Sequence, residues 1–290
     1  MSSVNSSPYA GGTTNLPRCS VSTPWPVFRP RAPIRTFRCL APSKKRCGHW
    51  WSRTSNFAIS KRRRILVEKI IKKAVERGQS ALSEYDSKQV IQSVGIPVTR
   101  ERLARSREEA LAYALEIGYP VVLKGCSDKA SHKTEMGLVK LNLTNAGDVA
   151  GAYDDITGKA PGLDGVLVQE MIKGEREFVL GLTRDPQFGP CVMFGAGGIF
   201  TEVVKDVTFR VAPLTARDAG EMLDEIRMTR LLDEFRGSPA VDREALVAAL
   251  VGLGEIGCRH QEIAEIDINP VIISGRKPVV VDALVVLTRQ

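Results

Sequence analysis

The 290-residue chain is 43% hydrophobic and 26% charged, enough apolar material for a packed core, and no apolar run nears the roughly 18 residues a bilayer span needs. Its formal charge of +8 invites a nucleic-acid or membrane-surface partner, but residues 1–64 hold 13 of the 41 Lys and Arg and no acid. The other 28 bases face all 33 acids, so the body of the chain is mildly acidic and neither partner is expected.

The first 64 residues are rich in Ser, Pro and Arg, hold all three tryptophans, and show neither helical nor strand periodicity. Such a composition fits an organellar transit peptide, a disordered arm, or an upstream stretch translated from a misplaced start codon. A secretory signal is excluded, because it needs an apolar stretch of about 7–15 residues. The run Lys61-Arg62-Arg63-Arg64 reads as a solvated charge run. Residues 1–64 are therefore expected to be a disordered basic extension or targeting segment before a domain at 65–290. The expected location is the cytoplasm, or an organelle if the segment is a transit peptide. Cys19, Cys39, Cys47, Cys126, Cys191 and Cys258 form no Cys-x-x-Cys pair, and Cys47-Gly48-His49 lacks partners at zinc spacing.

From residue 65 the pattern becomes regular. Ile65, Leu66, Ile70 and Ala74 fall at helical spacing. A second helix is predicted from a Ser83 cap through Val90, Ile91 and Val94, stopping at Gly95 before Ile96-Pro97. The capping box Ser106 to Glu109 opens a third, with Leu111, Ala114, Leu115 and Ile117 as its apolar face and Gly118 as its stop. Strands are predicted at 120–124, 138–143, 166–171, 178–182, 191–194 and 199–204. A helix capped by Thr215 and another from about Asp242 to Ile256 come next. The chain closes with a strand at 263–268, a turn at Asn269-Pro270 and a last strand at 279–286. Helices and strands mix without strict βαβ alternation, which indicates an α+β fold.

Four features carry chemistry. In Glu265-Ile266-Asp267-Ile268-Asn269 a strand places the three polar side chains on one face. With Asp282, which follows three valines, they offer the oxygen donors that Mg²⁺ takes, or else the polar face of a solvated hairpin. Lys124, at the end of Val121-Val122-Leu123, reaches a nucleotide phosphate or snorkels at a strand end. The polar loop from Gly125 to Gly137 contains His132, which is either a nucleophile towards phosphorus or a surface histidine. Gly195-Ala196-Gly197-Gly198 is not a dinucleotide fingerprint; it permits close backbone approach or forms an ordinary turn, and Arg210 downstream offers forked donors.

The combination is more specific than any part. Leu82 to Lys88 and Gly95-Ile96-Pro97-Val98 resemble the start of the nucleotide-binding subunit of succinyl-CoA synthetases and ADP-forming (NDP-forming) acetyl-CoA synthetases. Gly118 to Lys124, His132-Lys133-Thr134-Glu135, Asp185 to Pro190, Phe194 to Gly198, Asp206 to Arg210 and Glu265 to Pro270 are similar to the second group and follow its order. The resemblance covers residues 65–290 and implies an ATP-grasp fold, with two α+β subdomains enclosing the nucleotide. It implies ATP or ADP contacts at Lys124, at Glu170 and Met171 along the adenine edge, and at Glu177, Gly197 and Gly198. It further implies Mg²⁺ on Asn269, Asp282 and Asp267, Arg210 on the transferred phosphate, and His132 as a phosphoryl relay. The family's His-Lys-Ser-Asp reads His-Lys-Thr-Glu here, and its Gly-Leu-Gly-Gly reads Gly-Ala-Gly-Gly, with Glu135 one methylene longer in the relay loop.

The reaction implied is acyl-CoA + ADP + phosphate ⇌ carboxylate + CoA + ATP. No CoA-binding Rossmann segment or acyl pocket is legible, so an α subunit carrying the CoA-binding domain and a phosphohistidine is expected, in an α2β2 assembly. Two other readings share the fold: a stand-alone carboxylate ligase, and a non-catalytic regulatory domain split from a larger synthetase or acyltransferase.

Overall fold

Hydrophobic periodicity sorts the chain into two antiparallel sheets, each covered on one face by helices. The computed structural model describes residues 61–127, 137–198 and 206–288, with side chains from Ile65 onward. Helix α1 (Lys61–Glu76) and helix α2 (Glu84–Ser93) precede β1 (Glu101–Ala104), α3 (Arg107–Ile117), β2 (Val121–Cys126), β3 (Val139–Leu143), α4 (Ala146–Lys159) and β4 (Gly165–Glu170). These four strands form a sheet in the order β1-β4-β2-β3. Helices α3 and α4 cover one face, burying Ala110, Ala114, Ile117, Val149 and Ile156 against Leu123, Val166 and Val168.

The second sheet is built from β5 (Glu177–Asp185), β6 (Gly189–Ala196), β7 (Val207–Val211), β8 (Ile263–Ser274), β9 (Lys277–Val280) and β10 (Ala283–Leu287). Its order is β10-β8-β5-β6-β7, with β9 also on β8. Helices α1, α2, α5 (Ala216–Glu225) and α6 (Arg243–Arg259) contribute to its core. Alternation on the strands sends Phe178, Leu180, Leu182, Phe194, Ile266 and Ile268 into that core, and Phe178 stacks on Phe194 with centroids 5.4 Å apart. Gly257 lets α6 lie close to the sheet, because a Cβ there would stand 2.4 Å from Leu182 Cδ1.

Several expectations are corrected. Asn269-Pro270 is not a turn: β8 runs through it, and the hairpin turns at Gly275-Arg276, with Gly275 at φ +61. Pro270 has no N–H to donate, so the interruption appears in the partner, which splits into β9 and β10 around Val281-Asp282. Leu115 is 75% exposed; the buried stripe of α3 is Ala110, Ala114 and Ile117. Ser106 accepts the Glu109 amide as expected, but the Glu109 carboxylate reaches back to the Arg105 amide, so the box is half formed. At Thr215 and Asp218 both arms are present. Helix α4 and strand β1 were not anticipated. Glycines 147, 151 and 158 dilute the stripe of α4, and β1 opens on Glu101-Arg102. The strand expected at 199–204 lies outside the described residues.

The connection between α5 and α6 is held at both ends by buried charges. Asp206, 5% exposed, accepts the amides of Arg227 (2.7 Å) and Met228 (2.9 Å). Arg176, also 5% exposed, donates to the carbonyls of Leu231, Asp233, Pro239 and Gly275 at 2.6–3.3 Å. A guanidinium suits this task because its planar fork reaches several acceptors at once. Replacing it by an apolar side chain of similar length would leave those carbonyls short of a donor. Arg176→Met is therefore expected to lower unfolding stability by about 3 kcal/mol or more in urea titrations, with Arg176→Lys losing less. Equal midpoints for Arg176→Met and the parent chain would refute this role.

Candidate functional site

Two segments join the sheets. Ser83 caps α2, its hydroxyl accepting the Asp86 amide, while Leu82 N donates to Val285 O and Ser87 Oγ accepts from Val285 N on β10. The stretch before β1 pairs with β9 through Thr99 N to Val280 O (3.1 Å) and Val280 N to Pro97 O (2.9 Å). Helix α2 is thereby fixed to the six-stranded sheet, with Glu84 and Lys88 presented one turn apart.

Those two residues meet the uncovered face of the four-stranded sheet. Leu123, Val168 and Ala104 face α3 and α4, so Lys124, Gln169 and Glu101 face the other way. Glu84 Oε1 accepts from both Lys88 Nζ (2.9 Å) and Lys124 Nζ (2.8 Å). Lys88 also donates to Glu101 Oε2 (2.7 Å), Gln169 Oε1 (2.8 Å) and Thr99 Oγ1 (3.3 Å). Burial raises the Glu101 carboxyl, with Lys88 opposing. Burial acts to lower the Lys124 pKa, but Asp282, Glu84 and Glu101 outweigh it and hold the ammonium above its ordinary range. Lys124 is thus a permanent cation, suited to a phosphate and unsuited to accepting protons.

Lys124 stands at the edge of this cluster. Its Nζ donates to Val281 O at 3.1 Å and lies 3.6 Å from Asp282 Oδ2. Asp282 sits in the break between β9 and β10, and the Asn269 amide donates to its carbonyl at 3.3 Å. On β8, Ile266 and Ile268 face the core, so Glu265, Asp267 and Asn269 share the opposite face, with Asp267 aligned with Leu284 on β10 and Gly181 on β5. Burial raises the Glu265 carboxyl. Two carboxylates and an amide oxygen from adjacent strands are hard donors of the kind Mg²⁺ takes, and they are too few for a protein-only cage. That fits an ion that keeps waters and shares substrate phosphates, so Asp267, Asn269 and Asp282 fit the ion expected.

Glu177, Gly197 and Gly198 also come together. Gly197 N donates to Glu177 O at 2.7 Å, and a Cβ on Gly197 would meet Glu177 carbonyl carbon at the same 2.7 Å. Gly198 has φ +67 and lies beside Glu177 Oε2. The glycines are therefore required where the loop folds over the start of β5.

Other expected residues are placed differently. The Glu170 carboxylate is held by the Arg100 amide (2.7 Å) and Nε (2.8 Å), and the amides of Glu170 and Met171 donate to the carbonyls of Arg100 and Pro120. The adenine edge expected there thus has its amides and its carboxylate engaged within the chain. Arg210, expected at the transferred phosphate, is turned away. Thr208, two residues earlier on β7, donates to Met222 O on α5, and Arg210 shares that face, pairing with Glu225 and Glu221. Strand alternation gives the opposite face to Val207 and Phe209, and β7 is four strands from β10. His132 lies outside the described residues.

Glu84, Lys88, Glu101 and Gln169 were missed in the sequence. The available signal was that Glu84, Lys88 and Ile91 fall at i, i+4 and i+7, placing a charged pair on an apolar stripe. This geometry separates the two arginine and aspartate expectations. Asp282→Asn and Asn269→Ala should each weaken Mg-ATP binding by about tenfold or more in calorimetry, whereas Arg210→Met should stay within about twofold. The reverse pattern would place the phosphate near α5 instead.

Comparison with known proteins places the chain among characterised relatives. The ATP-grasp domain family model covers residues 73–287. The β subunit of ADP-forming acetate–CoA ligase II of Pyrococcus furiosus is 41% identical over 228 residues, spanning 76% of this chain and 97% of the relative. The β subunit of ADP-forming acetate–CoA ligase I of the same organism is 43% identical over 224 residues, spanning 75% and 96%. A solved Ca. Korarchaeum cryptofilum acetyl-coenzyme A synthetase 1, in complex with coenzyme A and Mg-AMPPCP and with its phosphohistidine segment pointing towards the nucleotide site, superposes with a TM-score of 0.70. It is 45% identical and covers 77% of this chain and all of that chain. The family model over residues 73–287 and these relatives identify the chain as a member of the ATP-grasp family.

Proposed function

We propose that this chain is the nucleotide-binding β subunit of an ADP-forming acyl-CoA synthetase, working in the reaction acyl-CoA + ADP + phosphate ⇌ carboxylate + CoA + ATP. The observation that carries this reading is the meeting of a permanently charged Lys124 with Asp282, opposite Asn269, at the junction of the two sheets. Support comes from the Pyrococcus β subunits, which this chain matches over nearly their whole length.

In this reading Lys124 takes a nucleotide phosphate oxygen, and Asp282, Asn269 and Asp267 hold Mg²⁺. The ion supplies charge neutralisation at the phosphates. Glu177 and the Gly197-Gly198 backbone border the same site. Phosphoryl transfer needs mainly positioning and charge neutralisation, which a fixed ammonium and hard oxygen donors provide. His132 relays the phosphoryl group between the nucleotide and a histidine of the α partner. That partner carries the CoA-binding domain and the acid site, in an α2β2 assembly. Residues 65–290 form the working domain and residues 1–64 an extension before it, in the cytoplasm or an organelle. Among the described residues no helix is long and apolar enough to cross a membrane.

The relay is tested with γ-labelled Mg-ATP and a CoA-binding α subunit. Acid-labile, base-stable label should reach the α-subunit histidine, and His132→Ala should slow that transfer by about a hundredfold or more. Transfer at the parental rate without His132 would remove the relay and favour the direct carboxylate ligase.

A further inference from the structure

The charges around Lys124 are arranged in a way that gives Glu84 a task beyond joining the sheets; this inference rests on Asp282 taking a divalent cation with the nucleotide. Lys124 Nζ has two carboxylates within reach, Glu84 Oε1 at 2.8 Å and Asp282 Oδ2 at 3.6 Å. The Glu84 side chain is 1% exposed and that of Asp282 45%. Lys88 shares the same Glu84 oxygen and holds Glu101 at 2.7 Å. Among the described residues the buried cluster therefore matches two lysines with two glutamates, and Asp282, at the solvent edge, adds a longer ion pair to Lys124 that stops short of a hydrogen bond. The nearby Arg100 guanidinium is committed to Glu170.

A carboxylate in direct contact with an ammonium is a poorer cation ligand, because an incoming ion must break that pair. We propose that Glu84 is a positioning residue that holds Lys124 off Asp282 and so keeps the Asp282 carboxylate available to a divalent cation. Remove the Glu84 charge and Lys88 retains Glu101, while Lys124 has Asp282 as its nearest carboxylate. Buried ammonium groups require a counter-charge, so Lys124 closes onto Asp282 and competes with the metal.

The test uses the full chain and a non-hydrolysable ATP analogue, with Mg²⁺ titrated by calorimetry. Glutamine at position 84 keeps the size and an oxygen acceptor for both lysines but removes the charge. Glu84→Gln is expected to raise the Mg²⁺ concentration for half-maximal nucleotide binding by about tenfold or more, and to weaken metal-free nucleotide binding by clearly less, through the Lys124 contact alone. Adding Lys88→Met to Glu84→Gln releases Glu101, which lies within electrostatic reach of Lys124. That double variant should return half-saturation to within about threefold of the parent. Should Glu84→Gln not fold, Glu101→Gln supplies the comparison, since Glu84 is then drawn to Lys88 and the same Mg²⁺ shift is expected.

Folded Glu84→Gln with an unchanged Mg²⁺ requirement overturns the proposal. So does equal weakening with and without Mg²⁺ that Lys88→Met does not rescue, which would make Glu84 a structural residue only. Asp282→Asn separates this from the underlying reading. If it abolishes the Mg²⁺ dependence while Glu84→Gln leaves the Mg²⁺ requirement unchanged, only the positioning role fails. If the parent chain shows no Mg²⁺-dependent binding, both fail.

Discussion

One oxygen atom of Glu84 accepts hydrogen bonds from two buried lysines that belong to different parts of the chain. Lys88 is on the same helix, Lys124 on a strand of the four-stranded sheet, and the helix itself is stitched to β10 of the other sheet. Each ion costs several kcal/mol to take out of water, and the cluster persists only because each charge has a partner. Separating α2 from the four-stranded sheet would strand these charges, so the junction holds the two sheets to one arrangement. That arrangement sets the distance between Lys124 and Asp282.

A second constraint shapes the other half of the site. Pro270 cannot donate to a ladder, so the strand opposite β8 breaks in two, and Asp282 falls in the gap. Its carboxylate lies beside Lys124, in the residue across from Asn269, with Asp267 two residues before Asn269 on the same strand face. Apolar side chains on the reverse of β8 fix which face this is. The cation and the oxygen donors therefore come from separate sheets, and the chemistry depends on how those sheets are joined.

Much of the fold was legible because it rests on local signals. Caps at Ser83, Ser106 and Thr215 mark real helix starts, and the apolar runs that end at Lys124 and surround Asp267 are strands. Elements without a local signal were not legible, such as α4 with its glycines and the polar strand β1. At the site, Lys124, Asp282 and Asn269 were readable from resemblance and alternation. Glu84 and Lys88 were not, because an i,i+4 Glu-Lys pair reads as surface decoration unless the strand that buries it is known. Arg210 shows the converse: its motif reads as phosphate binding, and only the facing of β7 shows it paired with Glu225 on α5. Arg176 follows the same rule, since its four carbonyl partners are 55–99 residues away in sequence.

In the proposed function this chain is one half of a catalyst, with nucleotide chemistry at the sheet junction and the CoA chemistry elsewhere. The decisive measurement is ATP formation from acetyl-CoA, ADP and phosphate. The assay compares the full chain alone, a CoA-binding α subunit alone, and the two together. A divided catalyst makes ATP only in the mixture, with Mg²⁺ present, and loses it on Asp282→Asn. ATP formed by the chain alone, or a mixture that works equally well with Asp282→Asn, would contradict the proposed function.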